Sequence, residues 1–211
     1  MKLEAKGITF GYKKGVHLFE DFQLIIGSGE RVGLVAHSGF GKTTLCQILA
    51  GYLQPAKGQV LLDGQDVYKI KGYCPVQMIW QHPEKSVNPR LRMKETLAEG
   101  REIEERIIEE LEIKKDWLNR FPSELSGGEL QRFCIARALG KGTKFLLADE
   151  ISTMLDPITQ SQIWNFLLRE VEKRNIGLLA VTHSQALLKR ITIRQVVLED
   201  KGPNFYIDTD V

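Results

Sequence analysis

The sequence predicts an α/β fold with a largely parallel central sheet, and three observations carry that expectation. Strand-like runs alternate with helical segments along most of the chain. One run, Arg31-Val32-Gly33-Leu34-Val35, is short, apolar and β-branched, and it feeds a glycine-rich loop that opens a helix. Another run ends in an acidic pair, Asp149-Glu150. Parallel strands buried on both faces read as continuous apolar runs of this kind.

In chain order, Leu3 to Phe10 alternates as a strand and is followed by the turn Gly11 to Gly15. Phe22 to Ile26 is a second strand, and Gly27-Ser28-Gly29 turns the chain into the run at Arg31. A helix is expected over Thr43 to Ala50, with Gly51 just past its end, where a left-handed residue closes many helices. Gln59 to Asp63 and Gln77 to Trp80 are further strands. Lys94 to Asp116 carries nine acidic and five basic residues, with Ile103, Ile107 and Leu111 at i, i+4 and i+8. That spacing predicts one amphipathic helix with a solvated acidic face, inserted between two glycine motifs. Glu129 to Leu139 is a helix, Lys144 to Ala148 a strand ending in the acidic pair, and Thr159 to Arg174 a helix. Gly177 to Thr182 and Ser184 to Ile191 complete the pattern as strand and helix. There is no internal repeat.

At 211 residues the chain is long enough for one large domain and short for two. Its 43% hydrophobic and 27% charged residues are ordinary for a globular protein. No stretch approaches the ~20 apolar residues that span a bilayer, and the first residues lack a secretory apolar run. Any membrane role is therefore expected to be peripheral, through a partner. A net charge of +2 is too small to argue for nucleic acid. Cys46, Cys74 and Cys134 are an odd count without metal-like spacing, and Cys46 and Cys134 read as buried reduced thiols. His17, His37, His82 and His183 show no ligand spacing, so no metal centre of this type is expected.

The chemistry concentrates in a few short strings. Ala36-His37-Ser38-Gly39-Phe40-Gly41-Lys42-Thr43-Thr44 follows a strand and opens a helix, the context a phosphate-cradling loop requires. Gly39 and Gly41 let backbone N–H groups converge on phosphate oxygens, and the helix N-terminus adds partial positive charge. Lys42 is expected to reach the β- and γ-phosphates and the Thr43 hydroxyl to ligate Mg²⁺. Ala36 stands where such loops usually begin with glycine, so its φ must be negative, as for the last residue of the strand. An acidic pair after a strand is ordinarily a solvated turn. Together with the loop at Lys42, Asp149 suits Mg²⁺ and Glu150 suits polarising an attacking water.

Leu125-Ser126-Gly127-Gly128-Glu129 has a plain structural use, because Ser and Glu three apart form a capping box. The paired glycines exceed that use, since glycine weakens a helix start unless something must approach closely. A second anion-friendly helix start in one domain suggests ATP clamped between two copies, each lending one motif.

With these strings, and with Gln131-Arg132 after the second, the chain resembles the ATPase subunits of ABC transporters over nearly all its length. The resemblance implies a P-loop NTPase core with an N-terminal antiparallel β subdomain and a helical subdomain at about 82–130, all in one domain spanning 1–211. It implies ATP and Mg²⁺ as cofactors. Within it, Ser38, Gly39, Gly41, Lys42, Thr43 and Thr44 bind the nucleotide, and Tyr12 stacks on adenine, where packing on the core is the plainer alternative. Gln81 occupies the glutamine-loop position, touching Mg²⁺ and the attacking water. Ser126, Gly127, Gly128 and Asp156 meet the nucleotide of a facing subunit, and His183 matches the switch histidine at the γ-phosphate. Lys42, Gln81, Glu150 and His183 form the catalytic set, and Thr43, Gln81 and Asp149 the metal set.

A chromosome-maintenance or translation-associated relative would need a long coiled coil or a second ATPase domain, and this chain has room for neither. A subunit with decayed hydrolysis is disfavoured because Lys42, Asp149, Glu150 and His183 are all present. Trp80-Gln81-His82-Pro83 followed by Ser86-Val87-Asn88-Pro89 looks like the importer group for peptides and nickel, with His82 in place of the usual Asp. Another importer, an exporter or a non-transport ABC ATPase is the alternative. The implied partners are transmembrane permease subunits, a second ATPase subunit (identical or not) and, indirectly, a solute-binding protein. The implied location is the cytoplasmic face of the membrane, and no nucleic-acid partner is expected.

Overall fold

A computed structural model describes residues 1–198 except Lys14, Ser38 and Met154, together with the backbone of 206–210. The elements are β1 (Lys2–Phe10), β2 (Phe19–Gly27), β3 (Arg31–Val35), α1 (Lys42–Leu49), β4 (Lys57–Leu62) and β5 (Gln65–Asp66). They continue with β6 (Val76–Ile79), α2 (Met93–Ala98), α3 (Glu105–Glu110), α4 (Gly127–Ala138), β7 (Phe145–Asp149) and α5 (Pro157–Arg174). The last are β8 (Gly177–Val181), α6 (Gln185–Ile191), β9 (Arg194–Leu198) and β10 (Tyr206–Asp210).

Two sheets organise them. A four-stranded antiparallel sheet runs β2-β1-β4-β5, and a six-stranded sheet runs β10-β9-β3-β8-β7-β6. In the second, β9, β3, β8, β7 and β6 are parallel and only β10 pairs antiparallel. The expected α/β class, parallel centre and N-terminal antiparallel sheet are all present.

The parallel strands are apolar throughout because both faces are covered. Phe145 and Leu147 of β7, Leu179 and Val181 of β8, and Val32 and Leu34 of β3 pack in the layer shared with α1 and the antiparallel sheet. Leu146, Ala148, Leu178 and Ala180 pack in the opposite layer with Phe133, Leu167 and Leu188 of the outer helices. Each fully buried Leu or Phe contributes roughly 1.5–3 kcal/mol. Gly51 has φ of 81°, closing α1 as its position in the sequence requires. Cys46 and Cys134 are buried and Cys74 is half-buried, all three as free thiols.

The segment Lys94 to Asp116 departs from expectation. It is not one helix but the two short helices α2 and α3, followed by a 3-10 turn at Lys115–Asn119. The break falls at Gly100, whose N–H bonds the Leu97 carbonyl. A Cβ on Gly100 would lie 3.0 Å from the carbonyl oxygen of Arg137, so the chain turns where it meets the end of α4. The Lys141 N–H then holds the Glu102 carbonyl at 2.9 Å. Ile107 and Leu111 are buried and Ile103 partly so, so the apolar stripe is real although its backbone is discontinuous.

Two charge pairs fasten α3 to α5, Arg169 with Glu110 at the surface and Arg106 with the buried Glu170. Glu170 on α5 is only 2% exposed, and its carboxylate accepts two bonds from the Arg106 guanidinium, at 2.5 and 2.9 Å. Arg106 also donates to Glu104 at 2.7 Å. Removing one partner of a buried pair leaves an uncompensated charge and costs more than the pair contributes. Arg106→Ala is therefore expected to lower unfolding free energy by about 3 kcal/mol, read from urea denaturation. Arg106→Lys should lose less, and an unchanged midpoint for Arg106→Ala would show that the pair does not stabilise the fold.

Candidate functional site

The phosphate loop is built around two glycines in the left-handed region. Gly39 and Gly41 have φ of 81° and 83°, while Ala36, immediately after the end of β3, has no positive φ. That is the division the missing first glycine demands, although Ala36 falls one residue beyond the strand rather than within it. A Cβ on Gly41 would lie 2.5 Å from a Leu18 methyl, so the site admits only glycine. Gly41 is also the N-cap of α1 and offers no side-chain acceptor, and the first turn holds no acidic residue. The first-turn N–H groups and the positive end of the helix dipole therefore face outward without a competing carboxylate. Ser38 lies outside the described residues.

Around this loop stand the other expected groups. Lys42 Nζ donates to the carbonyls of Ala36 and His37 at 2.9 and 3.1 Å. Tyr12 is 70% exposed, which excludes the core-packing alternative. Its hydroxyl lies 2.9 Å from the buried Thr44 hydroxyl, and its ring sits edge-on to Phe10. Thr43 is exposed, in the first turn of α1.

Three parallel strands deliver the catalytic candidates to one point. Asp149 ends β7, Gln81 follows β6 and His183 follows β8. Gln81 Nε2 donates to Glu150 Oε2 at 3.0 Å, and His183 Nε2 stands 2.7 Å from Glu150 Oε1. Glu150 itself has φ of 49°, an uncommon conformation for a residue with a side chain. Its backbone is fixed there by its N–H to the Val181 carbonyl at 2.9 Å and by the Thr153 hydroxyl on its carbonyl at 3.1 Å.

Asp149 is 1% exposed. Burial pushes its carboxyl above the ordinary carboxylate range, against the opposing pull of the Thr43 hydroxyl, with the Glu150 charge adding to the rise. Both Asp149 oxygens are buried without a partner within hydrogen-bond distance. Such an acceptor pair suits a hard cation.

The remaining expected residues gather elsewhere. Ser126, Gly127, Gly128 and Asp156 line an open cleft of about 660 Å³ with Lys114, Trp117 and Arg132. The lining includes none of the residues around Lys42 and Glu150. Ser126 and Glu129 form the capping box, with the Ser126 N–H donating to Glu129 at 2.8 Å and the Glu129 N–H to Ser126 Oγ at 3.3 Å. Asp156 caps α5, accepting from the N–H groups of Ile158 and Thr159 at 3.0 Å each. The Thr159 hydroxyl, then these backbone groups, hold its carboxyl below the usual range. A Cβ on Gly128 would meet a Leu155 methyl at 3.1 Å, but one on Gly127 would meet nothing within 4 Å. The open side of Gly127 is thus left for something outside the chain.

Sequence reasoning did not single out Lys114 and Trp117 as part of this cleft. The Lys114 ammonium lies 5.3 Å over the Trp117 ring, and both reach Gly127 only through the tertiary fold of the insert. Nothing local to Lys114 or Trp117 marks them.

Comparison with known proteins identifies the family. Residues 19–153 match the family described as ABC transporter. The nickel import system ATP-binding protein NikE of Staphylococcus aureus strain MSSA476 is 32% identical over 211 residues, covering 94% of this chain and 87% of that protein. NikE of strain bovine RF122 is 33% identical with the same coverage. Among solved structures, the dimeric post-hydrolysis state of the ATP-binding cassette MJ0796 bound to ADP and Pi has a TM-score of 0.83 at 24% identity, over 99% of this chain and 98% of that one. An ATP binding subunit of an ABC transporter has a TM-score of 0.86 at 21% identity, over 100% and 90%. These two share the fold. The family match spans well over half of the sequence and the curated relatives align almost end to end, so this chain belongs to the ABC transporter family.

Proposed function

We propose that the chain clamps ATP between itself and a second ATPase subunit and uses its hydrolysis to drive an importer, with nickel or other metal complexes, or peptides, as cargo. The observation that carries this reading is the separation of two half-sites on one chain, one around Lys42 and Glu150, the other around Gly127. Neither is complete alone. Two chains facing one another would place the Ser126–Gly128 turn and Asp156 of one against the phosphate loop of the other. The identity to nickel import ATP-binding proteins supports the cargo class.

In this reading Ser38, Gly39, Gly41, Lys42, Thr43 and Thr44 bind the phosphates, and Tyr12 stacks on adenine. Lys42 leaves the Ala36 and His37 carbonyls for phosphate oxygens. Glu150 accepts a hydrogen bond from the attacking water and so raises its nucleophilicity, while Gln81 and His183 orient it from either side. Asp149, Thr43 and the Gln81 amide oxygen would hold Mg²⁺, whose positive charge offsets that of the phosphates. The helical subdomain over about 82–130, within a single domain spanning 1–211, carries the second half-site. Among the described residues no helix is long and apolar enough to cross a membrane. Contact with transport would therefore run through permease subunits at the cytoplasmic face, and through them to a solute-binding protein.

Glu150→Gln removes the water-polarising charge and keeps the shape. It is expected to reduce hydrolysis at least about 100-fold, leave ATP binding intact and yield an ATP-dependent dimer by sizing chromatography. Parental turnover would remove Glu150 from its role, and failure to dimerise even with the complete complex would sink the clamp.

The Asp149 carboxyl gives a second test. Because its pKa is raised on folding, ionising this carboxyl costs the native chain more than the unfolded one. Stability therefore falls as pH rises from the ordinary carboxylate value through the raised one, and ionised Asp149 opposes folding at neutral pH. Asp149→Asn should melt at a higher temperature than the parent in the absence of Mg²⁺, yet gain less from Mg²⁺ and ATP together. A lower melting point, or an equal gain, would overturn the assignment.

Coupling to transport is tested at Gln81. Gln81→Ala should reduce stimulation of ATPase by substrate-loaded binding protein more than it reduces ATP binding, measured on the reconstituted complex. Full stimulation would exclude the coupling role. Failure of both nickel-loaded and peptide-loaded binding proteins to stimulate the parent would exclude this importer group.

A further inference from the structure

The helix that begins at Gly127 is tied to the segment leaving β6 by a polar group that packing alone does not account for. Gln131 on α4 is 3% exposed. Its Nε2 donates to the Trp80 carbonyl at 3.3 Å, and its Oε1 is buried with no partner. An unsatisfied buried amide oxygen opposes folding, and an apolar side chain of similar size would fill the same space without that penalty. Trp80 immediately precedes Gln81, whose amide reaches Glu150 at 3.0 Å. A single peptide therefore connects the α4 contact to the catalytic carboxylate.

The tie continues along α4. Cys134 Sγ lies 3.3 Å from the Ser86 hydroxyl, and Arg137 donates to the Ser86 carbonyl at 2.7 Å while its other nitrogen reaches Glu99 at 2.9 Å. Residues 80–86 are thus held along one side of α4 at both ends. The only link in this set between α4 and the peptide next to Gln81 is Gln131, two residues beyond the capping box that shapes Ser126–Gly128.

We infer that Gln131 is a positioning residue that joins the two half-sites: it locks the start of α4 to the Trp80–Gln81 peptide, so that the placement of Gln81 at Glu150 fixes the placement of Ser126–Gly128 toward the facing subunit. This rests on the clamp reading given above. It separates binding from turnover. Nucleotide affinity of a single subunit uses the Lys42 side and does not require the link, whereas hydrolysis requires both half-sites in register.

The test is Gln131→Leu in the full chain. Thermal stability is expected to equal or exceed that of the parent, because the orphaned oxygen is gone. Affinity of the isolated subunit for a fluorescent ATP analogue is expected to stay within twofold, while kcat falls at least about tenfold, the scale on which small misplacements act. A double-mutant cycle with Gln81→Ala adds a readout that a packing role would not move. If Gln131 acts through Gln81, the second substitution adds less than about twofold to the first. Parental kcat in a folded Gln131→Leu, or full additivity in the cycle, would overturn the inference and leave the clamp intact. Loss of ATP-driven dimerisation by Glu150→Gln would instead strike the clamp itself. If Gln131→Leu does not fold, Gln131→Met is the second variant, and failure of both to fold would make Gln131 a packing residue and end the proposal.

Discussion

The chemistry of this chain depends on parallel strands that end together. Leu34 of β3 stands beside Val181 of β8, Val181 beside Asp149 of β7, and Ala148 beside Ile79 of β6. Both faces of these strands are closed by packed layers, so polar groups gather beyond the strand ends, and the candidate site lies at the shared C-terminal edge. Lys42, Gln81, Asp149, Glu150 and His183 are distant in sequence and become neighbours for that reason. A slip of one residue in any strand would reverse its buried faces and withdraw its terminal residue from the edge. The register is thus specified by the core and inherited by the site.

Helix ends divide the remaining work. The helices α4 and α5 begin with side chains that satisfy their own first turns, Ser126 and Glu129 in one case and Asp156 in the other. The helix α1 begins at Gly41 and has no such cap. The difference follows from what each end must meet. A carboxylate at the start of α1 would compete with phosphate for the same N–H groups. At α4 the cap is closed by Ser126 and Glu129 while a Cβ on Gly127 would meet nothing within 4 Å, so in the proposed reading one turn is both capped and open to a ligand.

Most of the frame was legible because apolar runs and helix punctuation are local. The strands at Arg31, Lys144 and Gly177 and the close of α1 at Gly51 follow from composition and spacing within a few residues. The phosphate loop and the acidic pair were legible for the same reason, since their residue types are contiguous. The insert was not. Its break at Gly100 is imposed by the carbonyl of Arg137, far along the chain, and helical periodicity carries no trace of that contact. The strands β9 and β10 were also missed, as they follow the last punctuated helix, β9 taking its place by pairing with β3 and β10 by pairing with β9. Likewise the Gln81 and His183 contacts on Glu150 are products of strand order, so resemblance could name those residues but spacing could not join them.

Glu150 adopts a backbone conformation that glycine accepts freely and that a residue with a Cβ enters at a penalty of roughly 1–2 kcal/mol. Its N–H bond to the Val181 carbonyl at the end of β8 and the Thr153 hydroxyl on its own carbonyl hold it there. Glycine at this position would relax the turn and remove the carboxylate in the same step. The side chain must therefore offset that penalty through its contacts with Gln81 and His183, so this turn is held in shape by the same carboxylate to which the proposed reading gives the chemistry.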